Sequence, residues 1–156
     1  MLPLGWNGIL TILAFLISLS VAAYQIKDYR ARPAKPTLTD IHEPGFRTRP
    51  NNEFPDDRRD ARFELHASIE NKGRNPFTVS RVVLKPEMGD TVDLHSLERN
   101  HDRLHTFEGN TPREISYSGD TTLPADHPDE IVGIVRIETP AGNDELSATF
   151  DLIERR

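Results

Sequence analysis

The distribution of apolar and polar residues divides this 156-residue chain into two unequal parts. The segment 4–26 contains no charged side chain. As an α-helix, which rises about 1.5 Å per residue, it would reach roughly 34 Å, enough to cross a hydrocarbon core of about 30 Å. Trp6 lies near one end of this segment, and Tyr24 and Tyr29 lie near the other, where amphipathic rings prefer the membrane interface. We therefore predict a transmembrane anchor at residues 1–29, with the span at about 4–26.

Basic residues follow the apolar segment, whereas no lysine or arginine precedes it. Lys27, Arg30, Arg32 and Lys35 come directly after it. Because positively charged flanks stay in the cytoplasm, we expect the N-terminus outside and the following domain in the cytoplasm, at the cell membrane. The same side chains can lie against anionic lipid headgroups. An extracytoplasmic domain, anchored or secreted, is the alternative. A cleaved signal peptide is a further one, although it usually has a basic start and a shorter apolar run.

Small residues recur every four positions inside the predicted span. Ala14, Ser18 and Ala22 would therefore lie on one face of the helix, and such faces let two helices approach closely. Small residues are also common in membrane helices that do not self-associate. If the chain forms a homo-oligomer through its transmembrane helix, we expect this stripe to be the packing face.

Two segments without an apolar period follow the anchor. Residues 30–36 combine basic side chains with prolines, which predicts an extended basic linker. Residues 43–60 contain three prolines and mixed charges, and a loop of that length in a compact domain is usually functional or disordered. We predict a mobile loop at 43–60.

Short apolar runs with a period of two dominate the remainder of the chain, as expected for half-buried strands. The strand candidates are 37–42, 61–70, 77–84, 91–94, 113–118, 130–138 and 145–153. Turn signals rich in glycine, proline and aspartate separate them. The fold class is therefore predicted to be mainly β, with an antiparallel two-sheet β-sandwich at 37–156. Leucines at helical spacing in 95–107 add one short helix, with Ser96 as its cap.

A polar stretch between two of these runs, ENKGRN, raises the question of an anion-binding loop. It has one glycine, and no helix N-terminus follows it, so a phosphate cradle is not supported. Asn71 can instead cap a bend with its side chain, Gly73 can take a positive φ, and Pro76 can start the next strand. We predict a structural hairpin turn here, with Lys72 and Arg74 as solvated tips.

Composition and candidate chemistry narrow the function further. The net charge of −6 disfavours a nucleic-acid partner, and the absence of cysteine excludes thiolate chemistry. His101 and His105 stand four residues apart, but Asp102 occupies the place where a metalloprotease helix needs glutamate. No G-x-S-x-G turn holds a serine. We predict no catalytic, cofactor or metal-binding residue, and a small metal-dependent hydrolase remains a remote alternative.

Three stretches of the chain carry a family resemblance. HASIENKGRNPFTVSRVVL (66–84) resembles the immunoglobulin-like domains of many small prokaryotic proteins, and also adhesion-type repeats with an Asn-x-Gly turn. SLSVAAYQIKDYRARPAKP (18–36) resembles the junction in uncharacterised single-span membrane proteins, and 123–145 matches their layout. The resemblance implies an immunoglobulin-like domain behind one membrane helix and implies no reaction. We expect a membrane-anchored, non-enzymatic binding or scaffold module with an unknown protein partner, or alternatively a surface or adhesion-type module outside the cell.

Overall fold

The computed structural model describes residues 5–31, 33–54, 56–98 and 106–153. The chain divides into two compact units, Met1–Pro33 and Ala34–Arg156, and each is described by itself. The division falls within the segment 30–36 that the sequence marks as a linker.

The first unit contains one helix, α1, which spans Trp6–Ala31. No proline interrupts its apolar run. The hydroxyl of Ser18 donates to the carbonyl oxygen of Ala14 at 2.9 Å, and that of Ser20 donates to the carbonyl oxygen of Leu16 at 2.8 Å. These hydroxyls are thereby satisfied within the helix and need no outside partner. The prediction of one N-terminal apolar helix is confirmed.

The second unit contains nine strands in the part of the chain that the structure describes. They are β1 (Pro36–Pro50), β2 (Arg58–Asn71), β3 (Phe77–Thr78), β4 (Arg81–Pro86), β5 (Val92–Ser96), β6 (Thr106–Phe107), β7 (Arg113–Pro124), β8 (Glu130–Thr139) and β9 (Gly142–Leu152). Seven of them form a closed barrel in the order β1-β2-β7-β5-β4-β8-β9, and β3 pairs with β6 separately. All pairings are antiparallel except β1 with β9. The mainly β, antiparallel-rich architecture is confirmed.

Two short pairings close the ladder, where the sequence predicted two separate sheets. Strand β5 pairs with β4 through residues 92–94 and then with β7 through His95 and Ser96, so it bridges the two groups of strands. On the opposite side, β1 and β9 share only two residue pairs, Gly45 with Asp151 and Phe46 with Leu152. Alternation along a strand does not reveal which sheet edges meet, so closure was not predictable from the pattern.

The barrel core is formed by the inward-facing residues of the alternating strands. In β2 every second residue from Ala61 to Ile69 is buried, as the period of two predicted. At the centre, the ring of Phe63 lies 5.4 Å from that of Phe46 and 5.3 Å from that of Phe150, between ring centroids. None of these three rings is exposed to solvent. The second unit therefore has a hydrophobic core of its own.

The prediction of a mobile loop at 43–60 is wrong. Strand β1 continues to Pro50 and pairs with β2 from Arg58 onward, so only a short turn separates them. A bulge at 42–45, where Glu43 has φ 48°, accommodates the first proline of the segment. The charged side chains that hid the pattern lie on the solvent face, while Phe46 faces the core.

The hairpin predicted at ENKGRN is also wrong. Strand β2 pairs with β1 and β7, and the chain after Asn71 crosses to β3 and β4 on another part of the barrel. Gly73 is not among the described residues with a positive φ. Asn71 does cap the bend, because its Oδ1 accepts a hydrogen bond from the amide of Gly73 at 2.9 Å. Pro76 directly precedes β3, as expected for a residue that lacks an amide hydrogen.

The short helix predicted at 95–107 does not appear in the parts of that segment that the structure describes. His95 and Ser96 end strand β5, and Thr106 and Phe107 form β6. The hydroxyl oxygen of Ser96 accepts a hydrogen bond from the amide of Glu98 at 3.2 Å, which is a local turn rather than a helix cap. Residues 99–105, with His101 and His105, lie outside the described residues.

Candidate functional site

Helix α1 has the length and composition of a membrane span. The segment Gly8–Asp28 has a mean hydropathy of 2.1, and none of it is buried inside the structure. A signal sequence near an N-terminus passes the same test. Between Ile9 and Ile26, where the side chains are described, apolar side chains are exposed on every side of the helix and leave no polar face of the kind that lets a helix lie on a soluble surface. The helix is therefore the candidate anchor.

The predicted interface residues are distributed along the C-terminal turns and the start of α1. Tyr24 is 71% exposed and Lys27 is also exposed, so both can face a lipid boundary. Trp6, Tyr29 and Arg30 lie in the helix, whereas Arg32 is outside the described residues. Their interfacial role stays a prediction.

The stripe of small residues is accessible on the surface of α1. Ala14, Ser18 and Ala22 are all exposed. Because they are spaced by four, they lie on one face of the helix. Self-association through this face stays a prediction.

A buried asparagine organises the end of the barrel at which β1 begins. Asn71 is fully buried, and its Oδ1 accepts hydrogen bonds from the amides of Lys35 at 3.1 Å and Gly73 at 2.9 Å. Its Nδ2 donates to the carbonyl oxygens of Asn75 at 2.7 Å and Phe107 at 3.1 Å. These four hydrogen bonds use both acceptor positions and both donor hydrogens of the side-chain amide. One side chain thus connects three separate segments of the chain.

We call this the linker-side end of the barrel, formed by the described residues 34–35, 72–76, 79–80, 97–98, 108–112 and 140–141. Lys35, Lys72 and Arg74 are exposed there. The amide of Lys72 donates to the carbonyl oxygen of Lys35 at 2.9 Å, so two of these basic residues are adjacent in space. Glu98 and Glu108 are the acidic residues of these loops. The described linker-side residues therefore carry three basic side chains against two acidic ones.

The opposite end of the barrel, which we call the far end, is acidic. It consists of the connections after β1, β4 and β7, at 51–57, 87–91 and 125–129. In their described residues these loops contain no lysine or arginine and seven carboxylates: Glu53, Asp56, Asp57, Glu87, Asp90, Asp126 and Asp129. The two ends of the barrel thus differ strongly in charge.

The tip of the β1–β2 hairpin at the far end presents an aromatic ring to solvent. Asn51 Oδ1 accepts hydrogen bonds from the amides of Glu53 and Phe54, both at 2.9 Å, and Asn51 Nδ2 donates to Asp60 at 2.6 Å. The carbonyl oxygen of Phe54 accepts from the amide of Arg58 at 2.9 Å. Phe54 is nevertheless 55% exposed. A fixed turn therefore holds an apolar side chain in water.

The outer face of β1, β2 and β7 carries a polar cluster that resembles part of a catalytic relay. Ser116 Oγ lies 2.8 Å from His66 Nδ1, and His66 Nε2 lies 3.8 Å from a carboxylate oxygen of Glu43. Glu43 is 86% exposed, and the cluster lies on an open sheet face. A nucleophilic serine also needs donors for the developing oxyanion. These three side chains alone do not provide that part of a catalytic site.

The displaced pKa values have structural causes. The Arg81 guanidinium, which donates to Asp93 at 2.6 Å, lowers the pKa of that exposed carboxyl group. Because the folded-state pKa is depressed, this pair favours folding above the unfolded pKa of aspartate and loses the effect as the pH falls. Burial raises the pKa of the Tyr117 hydroxyl, which has no hydrogen-bond partner.

Histidine and acidic side chains are the possible metal ligands of this chain, which has no cysteine. Within 5–31, 33–54, 56–98 and 106–153, no three histidine or acidic side chains are placed to hold a metal ion. The pair His101 and His105 falls in the gap, so the remote metal-dependent alternative stays untested there.

Sequence reasoning missed the hairpin tip and the difference between the two barrel ends. Asn51 and Asn52 precede the tip and are turn-forming residues, which is the signal that marks it. Three prolines and nine charged residues in the segment 43–60 made that signal look like a disordered loop. The charge difference needs the strand order, since the loops involved are far apart in the sequence.

Comparison with known proteins adds no relative. No protein-family model matches the chain, and no curated protein matches it significantly.

Proposed function

We propose that this protein is a membrane-anchored, non-enzymatic binding module. The observation that carries the proposal is the 21-residue segment Gly8–Asp28, exposed and apolar on all sides, in the same chain as a domain with its own core. Burying such a helix requires lipid or another protein, because its described side chains are not covered within the structure. The basic residues after the helix favour a cytoplasmic barrel, and an extracytoplasmic barrel is the alternative.

The strand order supports an immunoglobulin-like origin for the barrel. Constant-type immunoglobulin domains place strands A, B, E and D in one sheet and C, F and G in the other. If β1, β2, β4, β5, β7, β8 and β9 are lettered A to G, the ladder reads A-B-E-D followed by C-F-G. We propose that the barrel is such a sandwich, closed by the short D–C and A–G pairings. This supports the resemblance to single-span immunoglobulin-like proteins.

Leu16→Arg is expected to weaken membrane anchoring. Arginine at the centre of a span costs about 2.5–3.5 kcal/mol on insertion scales, whereas leucine is favourable by about 0.5 kcal/mol. We expect a clear loss of protein from the alkali-resistant membrane fraction. Leu97→Arg is the matched control, because Leu97 and Leu16 are both 50% exposed and only Leu16 lies in the apolar helix.

Equal extraction of the two variants would contradict the anchor. A mature chain shorter by roughly 22 residues would show instead that the segment is a cleaved signal. Protease treatment of sealed inverted membrane vesicles tests the orientation, because it digests the barrel only if the barrel is cytoplasmic.

Phe54 is the side chain that we expect a protein partner to contact. Aromatic residues held in fixed geometry are typical hot spots, and Phe54 is exposed on a turn fixed by Asn51. The carboxylates of the same tip favour a partner with basic groups around an apolar pocket. A photo-crosslinking phenylalanine analogue at position 54 should yield a discrete adduct in cells. Phe54→Ala should weaken binding of the captured protein about 30-fold, for a hot spot worth about 2 kcal/mol.

Position 134 provides the control for this experiment. Ile134 is 41% exposed on the outer face of β8, outside the far-end loops. The same analogue at this position should yield no such adduct. Identical adducts from both positions, or none from position 54, would argue against a binding role for the hairpin tip.

A further inference from the structure

We propose that the linker-side end of the barrel binds anionic lipid headgroups through Lys35, Lys72 and Arg74. This inference rests on the proposed membrane anchoring, but it assigns a contact to the folded domain itself. The barrel end would bind the phosphate or carboxylate groups at the surface of an anionic bilayer. The proposal is based on the placement of basic residues around Asn71.

The first step of the argument is that these basic residues form one surface. Lys35 belongs to the linker, and Lys72 and Arg74 belong to the connection between β2 and β3. Asn71 Oδ1 accepts hydrogen bonds from the amides of both Lys35 and Gly73, and the amide of Lys72 donates to the carbonyl oxygen of Lys35. The linker and the loop are therefore held side by side, and the basic side chains of both are exposed.

The second step is the contrast with the far end. The described far-end loops hold seven carboxylates and no lysine or arginine, whereas the described linker-side loops hold three basic side chains and two acidic ones, Glu98 and Glu108. A negative lipid surface attracts one end of such a domain and repels the other. Each lysine or arginine near an anionic surface contributes about 1 kcal/mol, which is roughly fivefold in the binding equilibrium.

The third step is that the chain itself supplies further basic residues next to this surface in sequence. Lys27, Arg30 and Arg32 precede Lys35 and follow the apolar segment. A polybasic segment directly after a membrane span is the usual arrangement for contact with anionic headgroups. Lys72 and Arg74 add two basic side chains of the folded domain to those of this segment.

The test uses the full chain in lipid nanodiscs of phosphatidylcholine, with or without phosphatidylglycerol. The protein has no cysteine, so a single fluorescent label can be placed through Ser80→Cys, at an exposed linker-side position. A second labelled protein carries Thr91→Cys, at an exposed far-end position. A nitroxide on the lipid headgroups quenches any label close to the bilayer surface.

We expect quenching at position 80 in anionic discs, little quenching there in neutral discs, and none at position 91. Raising the salt from about 0.15 M to about 1 M shortens the Debye length from about 8 Å to about 3 Å and should abolish the effect. Lys72→Gln with Arg74→Gln removes two attractive charges and should lower the bound-to-free ratio of the barrel end by about 30-fold. Lys72→Glu with Arg74→Glu reverses both charges and should lower this ratio further.

Arg58→Glu with Lys85→Glu is the matched control. Both residues are exposed and lie toward the far end. Replacing them changes the net charge by the same amount as Lys72→Glu with Arg74→Glu. This variant should retain the quenching at position 80. Equal loss in both double variants, quenching independent of lipid charge or salt, or quenching at position 91 would overturn the proposal. No quenching in anionic discs would also overturn the proposal, and a protein would then be the expected partner of the basic surface.

Failure of the anchor gives a different result. If the helix does not hold the protein in the discs, the labelled chain is recovered free of lipid. Flotation of that free chain with anionic and neutral vesicles then decides the lipid contact separately. Charge-dependent flotation that Lys72→Glu with Arg74→Glu removes would support the contact, and its absence would overturn it.

Discussion

Replacing Asn71 with alanine is expected to lower the free energy of unfolding of the barrel by about 4 kcal/mol. The fully buried side chain makes four hydrogen bonds, with the amides of Lys35 and Gly73 and the carbonyl oxygens of Asn75 and Phe107. Alanine leaves all four groups without these partners, and an unsatisfied buried group costs about 1–3 kcal/mol. Part of that cost is recovered where water reaches the loops. Urea unfolding followed by far-UV circular dichroism measures the change.

Two further variants make this prediction specific. Asn71→Asp keeps the acceptor oxygen but replaces the donating amide with a carboxylate oxygen that faces two carbonyl oxygens, so we expect a similar loss. Asn143→Ala removes an exposed asparagine in β9 and should change stability by less than about 0.5 kcal/mol. If Asn71→Ala is no more destabilising than Asn143→Ala, the asparagine does not organise the linker-side end.

Phe63→Ala is expected to have the largest effect on stability, about 5 kcal/mol. Phe63 is fully buried, stacks on Phe46 and meets Phe150 edge to face. Truncating a buried phenylalanine costs about 3–5 kcal/mol, and each lost aromatic pair adds about 0.5–1.5 kcal/mol. A loss of this size approaches the whole stability of many domains, which is about 5–15 kcal/mol. The barrel should therefore become sensitive to protease at moderate temperature.

Phe63→Leu keeps the experiment interpretable if the alanine variant does not fold. Leucine fills most of the volume, so we expect a loss of about 1–2 kcal/mol with a cooperative transition. Phe54→Ala is the matched control, because Phe54 is an exposed phenylalanine and its removal should leave the urea midpoint unchanged. A stability loss at Phe54 that equals the loss at Phe63 would contradict the assigned core.

The fold was predictable where one physical preference acts alone. The apolar helix follows from composition, and the strand at 61–70 follows from the strict alternation of Phe63, Leu65, Ala67 and Ile69 with polar residues. The segment 43–60 was missed because its inward-facing signal is reduced to Phe46, with charges and prolines around it. This segment forms a strand because it pairs with β2 along most of its length, and such pairing is a tertiary effect that local sequence does not show.

The site was less predictable, because it depends on which strands become neighbours. The capping role of Asn71 was correctly expected, but the hairpin was not, since a turn motif does not state whether the flanking runs pair. Lys72 and Arg74 were predicted as solvated tips, and both are exposed. Their proximity to Lys35 depends on a backbone hydrogen bond across 36 intervening positions of chain, which no local pattern encodes.

The closure of the barrel has a consequence for its biosynthesis. The amide of Leu38 in β1 donates to Asp144 in β9, across a sequence separation of 106 residues. Contacts of that range form late, because the loop between them must be ordered first. At about 5–20 residues per second, roughly 5–20 s pass between the synthesis of Phe63 and that of Ile153. During that interval the aromatic core faces of β1 and β2 are uncovered, and exposed apolar surface of this kind makes a nascent chain prone to aggregation until β9 has been synthesised.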